Sequence, residues 1–413
     1  MKKQLLSTSA LVAAGMIAAS GTASAQTAPA SQPIQVTVGG YMQQSLQYAD
    51  QDNRVSTQAA NTGSTITGKV HNMNVVNDAE IWFQGKTTLA NGISVALRVE
   101  LEGFTSNDTI DESFMAIEGA FGRIEIGSTD HAAMKTKIGA PDLANRGPGF
   151  SNQATMIGNT MQNPTKSSGA NGPFGSSWLR FMDNDSERIS YYTPRFEGFQ
   201  LGLSYTPEIS EDRGDVVKYE SNNYKNSFSA GLNFTRSFGA IDTAAYAGYI
   251  THDSPDFANG ATKKDPKAYG VGAQVAYAGF RLGGSYSKFK DGYVLVGQNV
   301  ANATQVSGTG STGVTDNVND GRAFDVGLTY TFGPAEVGVT YFQGKNKAST
   351  ANSGDDKAKI FSVTGRYTLG PGVQLLATGF HAKISGEGTT TSNGADTDNN
   401  KATGLVGGVV LSF

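Results

Sequence analysis

Residues 93–102 read Ile93-Ser94-Val95-Ala96-Leu97-Arg98-Val99-Glu100-Leu101-Glu102. Every odd position is aliphatic, and every even position is small or charged. A strict period of two puts the first set on one face of a strand and the second on the other. The pattern recurs in 199–206, where Phe199, Leu201, Leu203 and Tyr205 alternate with Gln200, Gly202, Ser204 and Thr206. It recurs again where Phe324, Val326, Leu328 and Tyr330 alternate with Asp325, Gly327 and Thr329. One face is aliphatic with aromatic ends, and the other is polar or small.

The turn before Ile93 fixes how this strand pairs. A three-residue loop, Ala90-Asn91-Gly92, sets Leu89 against Ile93, Phe83 against Val99 and Ile81 against Leu101, all on one face. Gly92 then takes the left-handed position such loops require. A two-residue turn would place Leu89 against Ser94 and mix the faces. The same pattern from Ile34 to Phe413 predicts sixteen antiparallel strands. Tight turns such as Ala278-Gly279 and Gly370-Pro371 alternate with long polar stretches such as 297–321 and 385–401.

That sorting of connections decides the fold class. A soluble sandwich has no reason to keep one end of every hairpin tight and the other long. A transmembrane antiparallel β-barrel does, with short periplasmic turns and long external loops. Sixteen strands enclose a lumen too wide for side chains to fill, so the apolar face must meet lipid and the polar face water. Closure also removes the unpaired edge that hydrocarbon would not tolerate.

Composition agrees. The chain has 413 residues, no Cys, 52 Gly and 16% charged residues. The absence of Cys removes thiolate chemistry and disulfides. Mean hydropathy is −0.30, and no apolar run is long enough for a spanning helix. A net charge of −4 argues against a nucleic-acid partner. Lys2 and Lys3, the apolar stretch Leu11–Ala19 and the small residues Ala23-Ser24-Ala25 read as a signal peptide over residues 1–25. Residues 26–413 are then the barrel domain.

Residues 131–186 break the alternation, apart from a helix-like stretch near Ala132–Ile138. A connection this long is functional or unstructured. A solvated external loop has little use for Met134, Ile138, Leu143, Phe150, Trp178 and Leu179. The expectation is that this third loop folds into the lumen and constricts it.

The stretch Ile110–Phe114 with Phe121–Gly127 and His131–Met134 resembles the fourth and fifth strands of alphaproteobacterial outer-membrane porins. Arg188–Pro194 followed by Phe196–Tyr205 resembles the strand pair after their constriction loop. The terminal Val409-Val410-Leu411-Ser412-Phe413 is similar to the strand read by the barrel-assembly machinery, with Phe413 as its signal. The resemblance implies a trimeric general diffusion porin in the outer membrane of a Gram-negative bacterium, in contact with lipid and passing small hydrophilic solutes and ions. It implies no catalysis. The alternatives are a substrate-selective porin and an outer-membrane enzyme or adhesin.

The resemblance also implies a constriction with loop acids facing wall cations. Inward positions supply Lys86, Arg98, Arg123, Arg188, Arg281 and Arg366, with Arg98 and Arg188 nearest the middle or the loop's return. Lys86 and Arg98 are expected to lie close together. The loop offers Asp142, Asp183 and Asp185. Glu80, Glu100 and Glu102 also face inward, with Glu80 opposite Glu102. Like charges so placed require a counter-cation, for which calcium is the candidate, or a retained proton. No cofactor and no dedicated metal-ligand set is otherwise expected.

Overall fold

The computed structural model describes residues 33–52, 55–59, 65–69, 71–103, 109–143, 177–179, 183, 185–209, 224–254, 265–291, 320–346, 355–386, 391–392, 395–396 and 399–413. The expected leader, residues 1–25, lies outside them, as do 144–176 of the third loop. The barrel strands are β1 Gln35–Gln51, β2 Met73–Thr88, β3 Ser94–Glu102, β4 Ile110–Gly119, β5 Gly122–Ser128, β6 Glu187–Tyr192, β7 Phe199–Glu208 and β8 Lys225–Phe238. They continue as β9 Ile241–Asp253, β10 Lys267–Tyr277, β11 Phe280–Lys290, β12 Gly321–Phe332, β13 Ala335–Asn346, β14 Asp356–Gly370, β15 Val373–Ser385 and β16 Asn399–Ser412. Each pairs antiparallel with its sequence neighbours, and β1 closes on β16. The closing ladder runs from Tyr41 opposite Ser412 to Gln51 opposite Ala402. Gly40 and Phe413 complete it by exchanging main-chain hydrogen bonds at 3.2 and 3.1 Å.

The register at the first tight turn is the expected one. Phe83 faces Val99, Gln84 faces Arg98 and Glu80 faces Glu102. Leu89 N–H donates to Ile93 O at 2.8 Å, and Gly92 has φ +83°. In the Ala278-Gly279 turn both residues have positive φ, the mirror-image turn whose twist suits a two-residue hairpin. The outward side chains form a continuous apolar band, with Val36 69% and Leu405 65% exposed. Such a surface is stable only against lipid.

Three features depart from the sequence expectation. Two short hairpins, Val55–Ala59 with Thr65–Lys69 and Thr391–Ser392 with Ala395–Asp396, form in stretches read as polar loop. Their Thr and Val suit strands, but their polarity hid them. Among the described residues of the third loop, helical structure is confined to α1, Ala132–Lys135. The inner face is also not polar everywhere. Ala323, Phe342, Ala358, Ile360, Phe380 and Ile384 point inward from the external halves of β12–β15 and pack as one buried cluster. Alternation persists in these halves, but with the apolar residues inside and Arg322, Lys345, Lys357, Lys359 and Lys383 outside, so the inner wall here is packed and not wet.

Candidate functional site

The third loop enters the barrel at His131 and runs along the inner wall from β7 to β13. Its course follows inward glycines. A Cβ at Gly202 on β7 would lie 3.2 Å from Ala132 Cβ, and one at Gly231 on β8 would lie 2.9 Å from Ala132 O. At Gly272 on β10 a Cβ would collide with the carbonyl oxygen of Ile138. At Gly283 on β11 it would sit 3.0 Å from Gly139 O, and at Gly327 on β12, 3.1 Å from Pro141 O. Gly338 on β13 receives Leu143. The missing side chains form a trough at mid-height, and the loop backbone lies in it.

Wall side chains then satisfy the loop's polar groups, as a buried backbone requires. Ser204 Oγ accepts from Ala132 N–H at 2.8 Å, and Ser229 Oγ from Ala133 N–H at 3.0 Å. Asn233 donates to Thr136 O at 3.0 Å, and Gln274 donates to Gly139 O at 2.6 Å. Asp325 on β12, 3% exposed, accepts Ala140 N–H at 2.6 Å and Ser285 N–H at 3.0 Å. It also accepts the hydroxyls of Ser177 and Ser285. Ala140 leads away from β5 and Ser177 leads back, so one carboxylate clasps both arms of the loop.

The return arm is tied to the loop's start. Lys137 Nζ lies 3.0 Å from the Trp178 ring centre, a cation–π contact. His131 is fully buried, with Nδ1 2.8 Å from Ser229 Oγ and Nε2 3.3 Å from Leu179 O. A carbonyl only accepts, so Nε2 carries the proton and Nδ1 accepts from Ser229, assigning the neutral tautomer. Burial and the nearby Arg188 charge lower the His131 pKa to about 4. Asp183 binds Arg188 at 2.8 Å and Thr206 at 2.9 Å. Burial opposes its ionisation, but Arg188 and the hydrogen bonds hold its pKa below the ordinary value.

The loop leaves the β2–β5 wall facing it across the lumen. Tyr41 donates to Asp78 at 3.1 Å and to Glu80 at 2.9 Å. Carboxylate oxygens of Glu80, Glu102 and Asp111 lie within 4.8 Å of one another, as do those of Glu112, Asp130 and Asp185. Thr129 and the Asp130 N–H both donate to Glu112, at 2.9 and 3.1 Å. The Glu80–Glu102 pairing read from the register is therefore present, with Asp111 as its third member and Glu100 turned elsewhere.

Of the six inward cations, Arg98, Arg123, Arg188 and Arg366 are held in ion pairs. Arg98 ion-pairs with Glu100 and lies 4.5 Å over the Trp82 ring. Lys86 sits opposite Ala96, two positions along β2 from Gln84, which faces Arg98. Arg188 is 3% exposed and belongs to the loop anchor, not to the open lumen. Arg123 bridges Glu125 at 2.7 Å and Glu118 at 3.5 Å, with Lys135 on the other oxygen of Glu125 at 2.8 Å. Arg281 donates to Gln274 at 3.2 Å, and Arg366 pairs with Glu336. Asp142 is half-buried on the outgoing arm. The residue sequence reasoning missed is Asp325. Its only signal was an acid on an inward face between Ala323 and Gly327.

A closed sixteen-strand barrel with an apolar outer band and a loop docked on its inner wall is an outer-membrane pore. The family model of the Gram-negative porin matches residues 8–404, and the chain belongs to that family. It is a multi-pass protein of the outer membrane. An outer membrane porin protein of Bordetella pertussis is 24% identical, over 93% of this chain and 94% of that protein. An uncharacterized protein of Rickettsia conorii is 26% identical over 47% of this chain, a match spanning 57% of that protein. Among solved structures, an anion-selective porin from Comamonas acidovorans has a TM-score of 0.56 at 17% identity, over 92% of this chain and all of that one. The outer membrane channel DcaP of Acinetobacter baumannii has a TM-score of 0.57 at 13% identity, over 92% and 97%. At these identities the likeness is one of fold.

Proposed function

We propose that this porin is a channel and not an enzyme, passing small hydrophilic solutes by diffusion through a constriction between the third loop and the β2–β5 wall. The single observation behind this is the clasped loop at mid-height. The wall opposite is rich in carboxylates, among them Asp78, Glu80, Glu102, Asp111 and Glu112, while Arg98 and Arg123 are held in ion pairs. A negative wall in a narrow passage concentrates cations, so the pore prefers them.

Replacing 137–178 by a Gly–Ser linker, which removes both arms that Asp325 clasps, tests the constriction. Conductance and the sugar cut-off in liposome swelling should rise. No change in either refutes the inserted loop. Reversal potentials in a salt gradient should show cation preference, weaker at 1 M salt, where the Debye length is about 3 Å. Calcium held by Glu80, Glu102 and Asp111 is part of the proposal. Chelation should then increase cation preference, and an unchanged reversal potential removes calcium from it. Assembly as a homotrimer is part of the proposal by likeness to the porin family, and cross-linking would detect it. Recognition of Phe413 by the assembly machinery predicts that its deletion lowers surface abundance without changing single-channel conductance.

A further inference from the structure

On the outer face, the ends of the strands beside the long loops differ sharply around the barrel. On β1, β6 and β9 that rim carries Asp50, Glu187 and Asp253. From β11 to β16 it carries cations set directly opposite one another. Lys288 faces Arg322, Arg322 faces Lys345 and Lys345 faces Lys357. A second row runs Lys359, Lys383, Lys401.

Like charges in directly opposed positions destabilise a sheet. Lys345 reaches Asp355 at 3.8 Å and Lys401 reaches Asp52 at 3.7 Å. Among the described residues no carboxylate pairs with Lys288, Arg322, Lys359 or Lys383. These side chains point away from the lumen, so they do not act on permeating ions. Two residues nearer the middle of each strand stand Tyr286, Phe324 and Phe361, aromatics of the interfacial girdle. The cations therefore sit at headgroup depth. Tyr286, Arg322, Phe324, Gln343 and Lys345 line an open cleft of about 270 Å³, which offers a guanidinium fork and an ammonium to an anion from two adjacent strands.

We propose that the β11–β16 rim binds a multiply phosphorylated lipid headgroup in the membrane leaflet next to the long loops. The Arg322–Lys345 cleft takes one phosphate, and the remaining rows bind neighbouring headgroups. Phosphate oxygens between opposed lysines convert the repulsion into attraction. The acids on β1, β6 and β9 confine this lipid to one side of the barrel.

The refolded full-length protein in a maltoside detergent can be titrated with a bis-phosphorylated glycolipid, with the same glycolipid after phosphate removal, and with inorganic phosphate. Native mass spectrometry reads what is retained. The phosphorylated lipid should be retained, its dephosphorylated form should not, and inorganic phosphate should compete only at far higher concentration. The Arg322→Gln/Lys345→Gln pair should weaken retention by about tenfold or more while single-channel conductance stays that of the parent. Equal retention of both lipids overturns the proposal, as does unchanged binding by the double variant. Inorganic phosphate bound as tightly as the lipid would also overturn it, in favour of a simple anion site. The comparison of the two lipids uses the unmodified protein and holds even where a variant refolds poorly.

Discussion

Replacing Asp325 by Ala removes the clasp on the third loop. Two of its four hydrogen bonds go to the loop, from Ala140 N–H and Ser177 Oγ, and two go to Ser285 on the neighbouring strand. A hydrogen bond to a charged acceptor contributes about 1.5–3 kcal/mol. Water in the lumen recovers part of this for the freed donors. The net loss of docking is then about 3 kcal/mol, and the ratio of docked to undocked loop falls by roughly two orders of magnitude. No barrel ladder bond is removed, so heat-modifiable mobility on gels should be unchanged. Single-channel records should show excursions to a higher level, and the sugar cut-off should rise. A covalent tether gives the control. An ideal Cβ at Gly139 lies 3.5 Å from Ser285 Cβ, within disulfide range, and the chain has no competing Cys. Gly139→Cys with Ser285→Cys in the Asp325→Ala background should quieten the channel when oxidised and release it when reduced. A folded Asp325→Ala channel with parental noise and cut-off would refute the clasp.

Three further outcomes follow from the geometry. Leu97→Arg puts a charge on the lipid face and should cost about 2–4 kcal/mol near the midplane. Arg98→Leu should insert normally and increase cation preference by freeing Glu100, so equal folding damage from the two on gel mobility would contradict the register. Gly272→Val should press Ile138 off the wall and toward the pore axis, lowering conductance, and unchanged or higher conductance would count against the trough. His131 supports the docked loop only when neutral. Its pKa is about 4 in place and about 6.5 when solvated, so the undocked state binds more protons between those values. Docking is strongest above pH 6.5, weakens by about 3 kcal/mol as pH falls to 4, and levels off below. Open-channel noise should rise over that window and stay flat in His131→Gln.

The barrel was legible because its cause is local. Period two in 93–102, the Gly92 turn and the length asymmetry of the connections each act within a few residues. The ion pairs were also legible in principle: Arg98 with Glu100 and Arg123 with Glu125 are same-face neighbours two apart. Reading each inward cation as available charge overlooked them. The clasp was not legible, because Ala140 and Asp325 are 185 positions apart. In sequence, Asp325 is one more polar residue on an inward face. The inward glycines at 202, 231, 272, 327 and 338 were visible as small residues, but nothing local says that a second chain segment fills the space they leave. The inner apolar cluster around Phe342 and Ile360 escaped because alternation reports two unlike faces and not which of them turns inward; here the apolar one does and Lys345, Lys357 and Lys359 lie outside.

The division between the two walls bears on how such a pore can change selectivity. Along β7–β13 the inner surface is committed to holding the loop. Its glycines exclude side chains, and Ser204, Ser229, Asn233, Gln274 and Asp325 are each bonded to loop backbone or a loop hydroxyl. A charge introduced there must first displace the loop. On β2 the side chains bond chiefly to the wall, as Asp78 and Glu80 do to Tyr41 of β1, whereas β4 and β5 meet the loop's start through Phe114 and Glu125 on Lys135. Substitution on β2 or β3 alters the field in the passage and leaves its width alone. On the proposed constriction, width follows from the β7–β13 side and charge chiefly from β2 and β3, so Asp325→Ala and Glu102→Gln should separate them. The first should move the sugar cut-off with little change in reversal potential, and the second should do the reverse. A single wall governing both would make each variant shift both measurements together.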